Sequence, residues 1–160
     1  MKIFTLGYGG IDPSMFVGVL KDHSIRSIVD VRIWPIRANM GAFVKARSPE
    51  RGIQNLLARD GIAYFSLLEL GNPYIELPDW KERYRRLIEA SGDMLFERLA
   101  DIPEPFCLLC AEKRPGECHR SILAEFLQRR GHEVEHLIAP PNPSHGRKRS
   151  PQASQMTPPR

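Results

Sequence analysis

Cysteine is scarce in this sequence and does not pair off: three residues among 160, without the dense spacing of a disulfide framework. Reduced thiols are expected, and with them a reducing compartment, the cytoplasm. Long apolar runs are missing as well. No stretch approaches the roughly 18 apolar residues needed to cross a bilayer, and Met1 to Leu6 lacks the extended apolar segment of a secretory signal. A soluble protein without a membrane partner is the expectation. Acidic residues are absent from Pro140 onward. Arg147, Lys148, Arg149 and Arg160 therefore supply the whole net charge of +4, while the other 19 Lys and Arg balance the 19 Asp and Glu upstream. Six of the 14 prolines fall in the same stretch. It has too little apolar surface to order itself, so residues 140–160 are expected to be a disordered basic tail behind a domain of residues 1–139.

That domain carries the chain's apolar content, 42% overall, enough for one core. Lys2 to Leu6 reads as a strand, followed by a Gly7-Tyr8-Gly9-Gly10 turn. Asp12 is a good N-cap and Pro13 suits the first helical position, with Phe16, Val17, Val19 and Leu20 recurring at helical spacing. Ser27 to Val31 is a second strand, with the β-branched character of a strand buried on both faces. A loop follows through Arg47; Ser48 then caps a helix expected from Pro49 to near Gly61. Ala63 to Leu67 is the third strand. Two helices are expected, Asp79 to Ala90 and Asp93 to Ala100. Phe106 to Cys110 forms the fourth strand, and a helix bearing Ile122, Leu123, Phe126 and Leu127 ends at Gly131. Val134 to Ile138 is an edge strand. Alternating strands and helices define an α/β fold, a single three-layer domain with a mainly parallel sheet of about five strands.

In such sheets ligands gather at the carboxyl ends of the strands. Four loops should converge there: Gly7 to Gly10, Arg32 to Arg37, Glu69 to Pro73 and Cys110 to Arg120. The last is the richest in reactive groups. Cys110, Glu112, Cys118 and His119 are the candidate catalytic residues, because a thiol beside an imidazole and a carboxylate suits nucleophilic and proton-transfer chemistry. Gly7, Tyr8, Asp30, Arg32, Arg37, Lys113 and Arg120 are the candidate substrate-binding residues, the cations and glycines suiting an anion. Asp30 suits a structural anchor better. Cys107 reads as a small buried hydrophobe. Cys110, Cys118 and His119 are also metal donors, but they lack the close Cys pairs of familiar zinc sites, so no metal ligand and no cofactor is assigned.

These motifs resemble those of the DUF488 family: Thr5-Leu6-Gly7-Tyr8, Ile28-Val29-Asp30-Val31-Arg32 with Pro35, Glu69-Leu70-Gly71, and above all Leu109-Cys110-Ala111-Glu112-Lys113 leading to Cys118-His119-Arg120-Ser121. The resemblance implies a compact α/β domain with these residues as its functional cluster. Asn72 stands where a second glycine is expected after Gly71. A remoter likeness is to rhodanese and cysteine-phosphatase domains, in which a strand-ending Cys opens an anion-cradling loop. Here nine residues separate Cys110 from Arg120 and Pro115 removes an amide donor. Three readings remain open: an enzyme acting through its thiol, imidazole and arginine on an anionic small molecule or nucleic acid; a nucleotide- or nucleic-acid-binding module using the basic stretch Arg26 to Arg59; and a metal-binding protein. Oligomeric state is not legible.

Overall fold

The computed structural model describes residues 1–140; the expected basic tail lies almost wholly outside them. Five strands form one parallel sheet in the order β3-β2-β4-β1-β5: β1 (Lys2–Gly7), β2 (Ser27–Asp30), β3 (Ala63–Ser66), β4 (Phe106–Cys110) and β5 (Glu133–His136). Four α-helices cover it: α1 (Pro13–Asp22), α2 (Gly52–Ala58), α3 (Trp80–Phe96) and α4 (Arg120–Arg129).

Alternation along the strands builds the three layers. In β4, Cys107 and Leu109 pack with Phe16 and Leu20 of α1 and with Ile53 and Leu57 of α2. Phe106 and Leu108 pack on the opposite face with Tyr84 and Ile88 of α3 and with Leu123 and Phe126 of α4. With both faces covered, every residue of β2 and β4 is buried, which is why these strands read as near-continuous apolar runs. β5, exposed at both ends, is an edge as expected.

Local signals set several boundaries. The Asp12 carboxylate accepts the Ser14 amide at 2.9 Å and caps α1, with Pro13 at its first position. Gly131, at φ 85°, ends α4. Three expectations are corrected. The second helix starts at Gly52 and not Pro49, because the Ser48 hydroxyl bonds the Glu50 carboxylate and not a helix amide. The two helices expected between 79 and 100 are one continuous α3, followed by a short 3₁₀ turn at Glu97–Leu99. The last strand is shifted toward its amino end, to Glu133–His136.

β1 and β4 are neighbours, yet the chain leaves them for helices on opposite faces of the sheet. Their carboxyl ends therefore open a crevice, the usual location of a ligand site in an open parallel sheet.

Candidate active site

Cys110 is the last residue of β4, and Cys118 and His119 immediately precede α4. The connection folds back so that their donor atoms, the two Sγ and the His119 Nδ1, all lie within 4.8 Å of one another. His119 Nδ1 is 3.8 Å from Cys110 Sγ and 3.7 Å from Cys118 Sγ. The other ring nitrogen, Nε2, is 2.8 Å from the Val31 carbonyl at the end of β2. A carbonyl only accepts, so Nε2 carries a proton and, in the neutral ring, Nδ1 presents a lone pair to the sulfurs. The Tyr84 ring meets the imidazole edge-on at 5.0 Å, while its hydroxyl donates to the Leu70 carbonyl at 2.6 Å. His119 does not cap α4 with its side chain. The Arg120 amide instead donates to Cys118 Sγ at 3.4 Å.

The environment shifts these groups. The neighbouring Cys118 sulfur and burial hold the Cys110 thiol well above the ordinary thiol range. Burial alone would depress His119, but Cys110, the Val31 carbonyl and Glu112 together raise it above the ordinary imidazole value. Cys110 Sγ lies 2.9 Å from Glu112 Oε2, so the thiol hydrogen points at a carboxylate. Cys107, buried on the α1 and α2 side, is raised by burial alone; Arg120 pulls the other way. It stands apart from the cluster, as expected of a core hydrophobe.

Asp30 and Arg32 form a buried pair. Arg32 Nε donates to Asp30 Oδ1 at 2.8 Å and Nη2 to Oδ2 at 2.6 Å, while Nη1 donates to the Phe43 carbonyl at 2.8 Å. The Tyr64 hydroxyl completes the carboxylate's shell at 2.5 Å. The Asp30 carboxylate in turn raises Tyr64 beyond what burial does by itself. Asp30 is thus an anchor, and its charge neutralises Arg32. The guanidinium remains beneath the Tyr8 ring at 5.1 Å, and that ring stacks on Phe43 at 4.6 Å.

Arg120 and Gly7 are placed differently from the substrate-binding role expected of them. Arg120 is fully buried. Its guanidinium donates to the Glu112 carbonyl and, at 2.9 Å, to the Lys113 carbonyl. In a phosphatase-like loop the arginine would face an anion; here it braces the backbone. Gly7 lies under the same loop, where a Cβ would stand 1.7 Å from the Glu112 carbonyl oxygen. The amides of Tyr8 and Gly9 donate to the carbonyls of Cys110 and Ala111 at 3.1 and 2.8 Å. The glycine turn therefore receives the Cys110 loop and leaves no space for a phosphate at Gly7. Lys113 is exposed and lies outside the cleft lining.

A cleft opens beside the cluster. Cys110, Glu112 and His119 form its inner side, and Tyr8 and Arg32 line it from β1 and β2. Trp34 and Arg37 form its exposed edge, with the guanidinium stacked on the indole at 4.8 Å. No carboxylate lies within ion-pair distance of Arg37 among the described residues. Asn72 and Ile75 complete the wall. Asn72 was legible only as a departure from glycine; its Oδ1 accepts the Tyr74 amide at 3.0 Å, an Asx turn that the Asn72-Pro73 pair signals. The helical spacing of Tyr84 with Trp80, Leu87 and Ile88 marks only a core residue. Arg26, by contrast, sits before β2 at the other end of the sheet, its amide donating to the Pro105 carbonyl, so it does not join Arg37 in one basic face.

Fold and site together define the class: a parallel-sheet α/β domain with a buried Cys2His cluster opening on a cleft at the carboxyl rim. The family model described as "Domain of unknown function DUF488" matches residues 12–127, and the chain belongs to that family. The matched span contains β2, β4 and the whole cluster and excludes the Thr5 to Tyr8 motif. No curated protein and no solved structure matches the chain. No helix among the described residues is long and apolar enough to cross a membrane.

Proposed function

We propose that this protein is an enzyme acting on a small anionic substrate, with the Cys110, Cys118 and His119 cluster as its working group. One observation carries this reading: a single cleft has Cys110 and His119 of the cluster and the Glu112 carboxylate on its inner side and Arg37, without an ion-pair partner among the described residues, at its edge. Arg37 stacked on Trp34 offers a planar, fixed fork to a carboxylate or phosphate beside an aromatic face. Glu112, already in contact with a thiol, is the group placed to accept or return a proton.

Intrinsic tryptophan fluorescence titrated with inorganic phosphate and with nucleoside monophosphates tests the binding half. Saturable quenching is expected, weakened at least about tenfold in Arg37→Ala and reduced by added salt. Equal affinity in Arg37→Ala would remove the anion reading. Incubation of the bound compound with the protein, followed by mass spectrometry, tests the chemical half. Product is expected from the unaltered chain and none from Cys110→Ala; a compound recovered unchanged would reduce the protein to a binding module.

A further inference from the structure

We infer that the cluster works as the ligand set of a thiophilic divalent cation of the zinc class, held by Cys110 Sγ, Cys118 Sγ and His119 Nδ1. The spacing of the donors is the first argument. With Zn–S near 2.3 Å and Zn–N near 2.0–2.1 Å, a tetrahedral centre places sulfur and nitrogen ligands about 3.6 Å apart. The observed separations are 3.8 and 3.7 Å, and all three donors lie within 4.8 Å of one another, so the imidazole already stands at ligand spacing from both sulfurs.

The second argument is the histidine's anchorage. Metal-bound imidazoles characteristically donate their other N–H to a carbonyl or carboxylate, which fixes tautomer and ring direction. His119 does this with Val31. Its free lone pair then faces two sulfurs, which are weak hydrogen-bond partners but strong metal donors. The Arg120 amide directed at Cys118 Sγ supplies a donor to a thiolate, another feature of the shell around such sites.

The third argument is burial. All three donors are at most 4% exposed. Two thiols enclosed this tightly make poor free nucleophiles, whereas a cation converts both to thiolates and releases two protons as it binds. Sequence spacing concealed the site because its two cysteines are separated by seven intervening residues, and are not a close Cys pair.

Three protein ligands leave a fourth position, the arrangement of catalytic and not structural zinc centres. The ion's role in turnover rests on the enzyme reading above, because that position is assigned to a substrate or water oxygen on the cleft side, next to Glu112. The metal site itself stands on the donor geometry and fails separately.

The test is a cobalt(II) titration of the full-length, reduced and metal-stripped protein, read by absorbance. Equimolar saturation is expected, with a near-ultraviolet thiolate-to-cobalt band and the intense visible bands of a tetrahedral site, both reversed by zinc. Cys118→Ser should weaken cobalt binding by at least about tenfold, while Cys107→Ser, equally buried but outside the cluster, leaves it unchanged. Absence of the thiolate band from the unaltered chain overturns the proposal, whatever the variants do. So does cobalt affinity that is undiminished in both Cys110→Ser and Cys118→Ser. Neither result touches the Arg37 titration, so loss of the metal site and loss of the anion cleft are told apart.

Discussion

A carboxylate and a guanidinium two positions apart, Asp30 and Arg32, are among the most costly side chains a core can enclose. They persist because each satisfies the other and the leftover valences reach Phe43 and Tyr64. The pair was legible in sequence as a charged interruption at a strand end. Its partners were not, because Phe43 and Tyr64 are 11 and 34 residues away along the chain. Replacing one member leaves the other as an uncompensated buried charge. Asp30→Asn should therefore lower unfolding free energy by about 3–5 kcal/mol, and Tyr64→Phe by about 1–2 kcal/mol. Urea midpoints at constant m-value measure both. A loss below about 1 kcal/mol for Asp30→Asn would mean that the pair is not enclosed as described.

At the scale of elements, α3 shows where local reading falls short. Ser91-Gly92 invites a break, and two helices are the natural expectation from propensity. One helix forms because Gly92 is where α4 comes closest: a Cβ there would lie 2.4 Å from Phe126 Cζ. The ring has little room to retreat, being stacked on Phe96 at 5.0 Å and covered by Arg130 at 3.4 Å. The usual gain of about 1 kcal/mol from Gly→Ala in a helix is thus reversed. Gly92→Ala should destabilise by about 1–3 kcal/mol through overpacking, whereas Gly18→Ala in α1, with nothing within 4 Å of its Cβ position, should stabilise. Thermal midpoints of the two variants should move in opposite directions. A shared direction would refute the close helix approach.

For the whole molecule, charge and site are separate along the sequence. The +4 net charge resides in the segment after Pro140, while the cleft's own cation is Arg37. A chain ending at Pro140 should keep its circular dichroism spectrum, and its affinity for phosphate compounds at 0.15 M salt should change by less than about twofold. Collapse of that affinity would transfer anion binding from the cleft to the C-terminal cations.

The strands and their order, the parallel α/β class and the crowding of reactive groups between the fourth strand and the last helix follow from the sequence alone. They depend on residue periods, caps and turn chemistry, which act over a few residues. Tertiary structure alone decided that Arg120 faces backbone carbonyls, that Phe43 and Tyr64 complete the Asp30–Arg32 pair, and that Cys118 and His119 return to Cys110 with the imidazole pinned to Val31. Those outcomes depend on which strand lies beside which. That adjacency is settled by burying two sheet faces at once, and no local pattern in the chain encodes it.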